Sequence, residues 1–143
     1  MVHVVYNMFS HIFAGTAGVA VSTTGCGEHL VRTFLAKEIG SSLSQDGDAA
    51  QALRDVMKVK FDDSEFLVSV REKLGGAICL RHDGDSGRTD FLWTHTTASM
   101  GLAFQTTRCQ QPTVRMSRLP NGCKPGPGAT HTLVERVVFD KVE

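Results

Sequence analysis

The chain has 143 residues, 41% of them hydrophobic and 21% charged, with 15 basic residues against 15 acidic ones and no net charge. That length suits one domain able to bury about two thirds of its unfolded surface. Neutrality without a basic block excludes a phosphate-neutralising nucleic-acid binder and long-range steering of a charged partner, and no run of about 18 apolar residues exists to span a membrane.

Residues 1–15 carry no clear period and stay unassigned. Val2, Val4 and Tyr6 alternate as in a strand, whereas Val5, Met8, Phe9, Ile12 and Phe13 would suit a helical face. The segment is apolar but lacks a basic n-region and is interrupted by Asn7, Ser10 and His11, unlike a secretory signal. From Thr16 to Ser22, small and β-branched residues predict a strand that Gly18 weakens. A hydroxyl-rich and glycine-rich turn follows, and then a helical pattern begins. Leu30, Val31, Phe34, Leu35 and Ile39 fall on one stripe opposite Glu28, Arg32, Lys37 and Glu38, with Gly40 as the stop.

Asp48 followed by Gln51 resembles a capping box, and Ala49, Leu53, Val56, Met57 and Phe61 give a second helix antiparallel to the first. Beyond Gly75 and Gly76 the period changes. Ala77–Arg81 is a strand, the cluster Asp83–Gly87 is turn chemistry, and Thr89–Thr107 completes a hairpin as one long strand. Pro112 breaks that run. Thr113–Leu119 gives another strand, Pro120–Gly128 is too rich in Pro and Gly for regular structure, and Thr132–Val142 reads as a terminal strand. Residues 16–143 therefore predict an α+β domain, two helices packed on an antiparallel sheet.

Convergent polar groups occur in one stretch, Ser22–Glu28. The Thr24 hydroxyl can donate, Gly25 has an unobstructed N–H, and Gly27 supports the turn and allows close approach to the helix start. The same residues also suit a plain turn that caps a helix. A phosphate loop lacks its third glycine and its Gly-Lys-Ser/Thr. Cys26 near a helix start, with His29 three residues on, suggests a thiol nucleophile or half a metal site. The base would be poorly aimed, and no second ligand pair with zinc spacing follows, so no metal or other cofactor is expected.

His95 shares a strand face with Phe91 and Trp93 and reads as a structural histidine hydrogen-bonded within a sheet. Asp83 and Asp85 belong to a turn. Phe91, Leu92, Trp93 and Phe104 read as core, each worth about 2–3 kcal/mol if fully buried. Cys26, Cys79, Cys109 and Cys123 are too few and too irregular for a disulfide framework, which points to a reducing intracellular compartment.

The run Val-Ser-Thr-Thr-Gly-Cys-Gly-Glu-His-Leu-Val-Arg-Thr-Phe-Leu-Ala-Lys-Glu at positions 21–38 resembles the type 2 asparaginase family, and within it the threonine aspartase (taspase) branch of endopeptidases. Leu74–Arg81, Phe91–Met100 and Ser117–Pro120 match in the same order, so the resemblance covers about Val19 to Pro120. It implies an N-terminal nucleophile hydrolase with an αββα sandwich, of which this chain would hold only part. In such enzymes a precursor cuts itself before a threonine, whose freed amine and hydroxyl become base and nucleophile in hydrolysis after aspartate.

Carried over by residue, the resemblance assigns Thr24 and Gly25 to the oxyanion hole and the substrate carbonyl. The nucleophile has no counterpart. Residues 1–23 contain neither an Asp-Thr pair nor an arginine. Thr16, after Gly15, superficially resembles a cleavage point, yet it would stand about 25 Å from Thr24 along an extended strand. The expectation is therefore the C-terminal portion of a threonine aspartase-like protein, inactive alone, with no nucleic-acid or membrane partner. Its partners would be a protein substrate with a cleavable Asp, once completed by the missing part, or a full-length relative with which it pairs. Residence would be cytoplasmic or nuclear.

Overall fold

The computed structural model describes residues 6–8, 17–106, 111–123 and 133–139. Most of the unassigned segment 1–15, together with Thr16 and Cys109, lies outside them. Five strands form one antiparallel sheet in the order β1 (Tyr6–Met8), β2 (Ala17–Gly25), β3 (Gly75–Asp83), β4 (Thr89–His95) and β7 (Leu133–Phe139). A two-stranded ribbon, β5 (Ser99–Phe104) with β6 (Thr113–Arg118), packs on one face, and the helices cover the other. The α+β class holds as expected, and no helix among the described residues is long and apolar enough to cross a membrane.

The strand period of two divides the sheet residues between the faces. Val21, Ala77, Cys79 and Leu92 turn toward the helices and are buried with Leu35, Ile39, Leu53, Met57 and Phe61. Phe91 and Trp93 turn the other way and form a second core with Met100 and Leu102 of the ribbon. Phe104 links the ribbon to β4 and β7, its ring 5.1 Å from Phe91 and 6.1 Å from Phe139. Arg115 of β6 stacks its guanidinium 5.7 Å from the Trp93 ring.

Several boundaries differ from the sequence expectation. The first helix is two: α1 (Gly27–Arg32) and α2 (Leu35–Leu43), broken at Phe34, whose φ of 48° is left-handed. The break rotates the stripe, so Leu30, Leu35 and Ile39 are buried while Val31 and Phe34 face solvent. Gly40 does not end the helix. It lies inside α2, buried near Val21, and the end is capped from the sheet by Arg81, whose Nε donates to the Leu43 carbonyl at 2.9 Å.

At α3 (Ala49–Val56) half of the capping box forms. Asp48 Oδ1 accepts from the Ala50 amide, but the Gln51 amide turns along the helix to Asp55. Met57–Asp62 continues α3 as a π-helical segment that buries Met57 and Phe61. A short 3-10 turn, Glu65–Leu67, follows. The long strand expected over Thr89–Thr107 is also two, because residues 96–98 turn and pass the chain from the sheet to the ribbon.

Candidate functional site

β2 extends three residues past the predicted end at Ser22, so Thr24 and Gly25 are strand rather than turn. Thr23 faces the helices and is buried, whereas the half-buried Thr24 faces the ribbon side. Across the ladder Thr24 pairs with Gly76 and Gly25 with Gly75. This close approach needs glycine: Gly25 has φ +133°, and a Cβ there would stand 2.6 Å from the Leu74 carbonyl oxygen.

Cys26 then caps α1 with backbone atoms. Its N–H donates to the Leu74 carbonyl at 3.0 Å, and its own carbonyl accepts from Leu30 N–H at 3.2 Å. No side-chain cap forms there. Gly27 opens α1 and stands back from the cleft described next.

A cleft of about 610 Å³ opens at this junction. Thr24, Gly25 and Cys26 form one wall, Leu74 and Gly76 the floor, and the stretch from Thr97 to Gly101 the opposite wall. None of these lining residues is charged. The far wall is held by the turn after β4. Thr96, fully buried, places its Oγ1 2.6 Å from the Lys73 carbonyl, to which it donates, and accepts from Gly75 N–H at 3.0 Å. The Thr96 N–H donates to the Gly75 carbonyl at 2.9 Å. Thr96 thus fixes the Lys73–Gly75 stretch on which both Gly25 and Cys26 rest.

His95 is a buried structural histidine, as the strand reading expected, but its partners lie across two sheets. Nδ1–H donates to the Thr97 carbonyl at 2.8 Å, which leaves Nε2 to accept from Ser117 Oγ of β6 at 3.0 Å. Trp93 Nε1–H donates to the same hydroxyl at 3.2 Å. Burial, the largest influence, holds the His95 pKa below its ordinary value and so favours the neutral ring.

The remaining candidates separate from the cleft. Among the described residues no hydrogen bond joins Cys26 to His29. The His29 Nδ1 is buried without a partner, and burial is the main cause that lowers its pKa. Asp83 ends β3, and Asp85 lies in the turn from β3 to β4. There Asp83 accepts from Ser86 Oγ at 2.6 Å and from Asp85 N–H at 3.0 Å, which lowers its pKa. Sequence reasoning missed Leu74, Gly76, Thr97 and Met100 as cleft residues and Thr96 as the anchor behind them, although the family-like runs contained all five. The runs from positions 21, 74 and 91 meet at this one cleft.

A profile of the asparaginase family matches residues 10–114, well over half of the chain and every residue that lines the cleft. The chain belongs to the asparaginase family, of the type 2 class.

Proposed function

From that membership, we propose that the cleft is the carbonyl-binding part of a threonine-type amide hydrolase, with Thr24 and Gly25 as the oxyanion-stabilising element. The convergence of three separate runs on Thr24 and Gly25 is the observation that carries this reading. A hydroxyl and a strand-end amide beside a cleft with no charged residue among its described lining suit an oxygen that gains charge in the transition state, since fixed dipoles act strongly where water is scarce. Within the family the threonine aspartase branch, which cleaves after aspartate, fits the runs from positions 21 and 91 best.

The reading gives this chain a stabilising element without a nucleophile. Residues 1–23 hold no Asp-Thr pair, so none of their threonines is assigned as the nucleophile, the residue whose hydroxyl attacks while its freed amine serves as base. The purified chain is expected to release no ammonia from asparagine and to leave aspartate-containing peptides intact, while such a peptide shifts the Thr24 and Gly25 amide resonances. Turnover by the chain alone would refute the missing-nucleophile reading, and unshifted Thr24 and Gly25 resonances would refute the carbonyl-binding one.

A second reading, pairing with a full-length relative, is favoured by the exposed apolar residues Ile78, Leu80, Val114 and Met116 on the ribbon side. Co-elution with such a relative in size exclusion tests it, and elution of the chain as a separate monomer would count against it.

A further inference from the structure

The ribbon has an edge that the sheet does not use. Leu119 N–H donates to the Ala98 carbonyl at 3.1 Å, which fixes the phase of the β5–β6 ladder. In antiparallel pairing hydrogen-bonded residues alternate, so Met100, Leu102 and Phe104 aim their backbone groups at Ser117, Arg115 and Thr113 of β6. The N–H and carbonyl groups of Gly101 and Ala103 then point the opposite way, where β5 pairs with no strand among the described residues. Ser99 shares that edge, but its carbonyl already accepts from Thr97 Oγ1 at 2.9 Å.

The direction of this edge follows from what lies beneath the ribbon. Met100 sits over Gly76 of β3, its Sδ 2.9 Å from where a Gly76 Cβ would be, while Ser117 of β6 sits over Trp93 and His95 of β4. The edge of β5 away from β6 is therefore turned toward β3 and β2. The cleft follows the start of this edge, from Ser99 to Gly101, and ends at Thr24 and Gly25, while Ala103 continues the edge beyond it. Gly101 adds no side chain that would block approach, since a Cβ there would meet only Met116, at 3.8 Å.

We propose that this edge of β5 takes an extended peptide substrate as a third strand of the ribbon, directing one of its carbonyls to Thr24 and Gly25. The proposal rests on the amide-hydrolase reading and adds to it the way a polypeptide substrate would be held. Unpaired backbone donors and acceptors recognise another backbone, and among the described residues the cleft lining offers a small charged amino acid no counter-ion. A strand added at the usual spacing of about 4.8 Å would also lie above Ile78 and Leu80, which are 38% and 45% exposed on that face. Alternate peptide side chains would bury them.

The test is amide exchange and chemical-shift mapping on the isotopically labelled chain, titrated with a blocked octapeptide that carries a central aspartate. The expected result is fast exchange at Gly101 and Ala103 in the free chain, against slow exchange at Met100 and Leu102. Peptide should then protect Gly101 and Ala103 and shift Thr24 and Gly25. Ala103→Pro removes an edge donor that the ribbon does not use, so it should weaken binding about tenfold, while Ala103→Val should not. Retained protection at Met100 and Leu102 in the proline variant checks that the ribbon is intact. Shifts confined to Thr24 and Gly25 would overturn strand addition and leave the carbonyl-binding reading standing. Protection confined to the edge would uphold strand addition and refute that reading. Edge amides already protected in the free chain, or no response at all, would overturn the proposal.

Discussion

His95 of the sheet and Ser117 of the ribbon meet across the two layers, with 3.0 Å between Nε2 and Oγ. The Ser117 hydroxyl completes a chain from Trp93 Nε1–H through itself to His95, and from His95 Nδ1–H to the Thr97 carbonyl at the cleft wall. Ser117→Ala leaves a buried indole N–H and a buried imidazole nitrogen without partners. It should cost about 2 kcal/mol, read as a lower urea midpoint with an unchanged slope.

The same burial makes stability depend on pH. The His95 pKa is lowered in the folded chain from its ordinary 6.5, so the unfolded chain binds the proton more readily. Stability from this group is full above about pH 6.5 and falls as pH drops from there toward the folded pKa. His29, also lowered chiefly by burial, acts with the same sign. Urea midpoints from pH 8 down to pH 5 should therefore decline, and His95→Gln should flatten the decline in part, leaving the share of His29. An unchanged pH slope in that variant would show that His95 is not the group being titrated.

Thr96 is the second anchor of the cleft wall, and one hydroxyl does both jobs, accepting from Gly75 N–H and donating to the Lys73 carbonyl. Thr96→Val keeps the shape and removes both bonds, with an expected loss of about 1–3 kcal/mol. Thr96→Ser keeps the hydroxyl and should recover most of that loss. Equal destabilisation by the two variants would mean that the methyl group, not the hydroxyl, matters.

How much of this could be read in advance depends on the range of the interaction involved. The alternation of Phe91 and Trp93 against Leu92 marks buried faces locally and those residues are buried, whereas of the helical stripe Leu30, Val31, Phe34, Leu35 and Ile39 only Leu30, Leu35 and Ile39 are. Thr24 and Gly25 stood out because hydroxyl and glycine residues gather there between a strand pattern and a helical one. The break at Phe34 left no sequence signal, since a bulky aromatic is a poor candidate for a left-handed position and tertiary packing overrode the local preference. Thr96, Leu74 and Gly76 join the cleft through contacts between positions far apart in the chain, which no period encodes. The split of residues 89–107 into two strands depends on which sheet each half pairs with, and that too is a long-range choice.

Glycine at position 25 is required by geometry rather than by mobility. A Cβ would stand 2.6 Å from the Leu74 carbonyl oxygen, an atom of backbone that cannot swing aside, at a φ of +133° that other residues avoid. Gly25→Ala should destabilise by at least about 2 kcal/mol and displace the Cys26 N–H bond to Leu74. Gly18→Ala on the same strand meets nothing within 4 Å and should be neutral or slightly stabilising, which makes it the internal control for thermal melts.

Phe34 presents the opposite case, a conformation suited to another residue. It occupies the left-handed region at φ 48°, immediately ahead of α2, with 65% of its surface exposed. Left-handed backbone costs an ordinary side chain roughly 1–2 kcal/mol, and Asn tolerates it better than Phe while also favouring positions that precede helices. The burial lost is small because most of the ring already faces water. Phe34→Asn should therefore raise stability by about 0.5–1 kcal/mol and the melting temperature by a few degrees. A lower melting temperature would mean that the covered third of the ring, beside Val59 and Phe66 in a shallow groove, outweighs the relief of backbone strain.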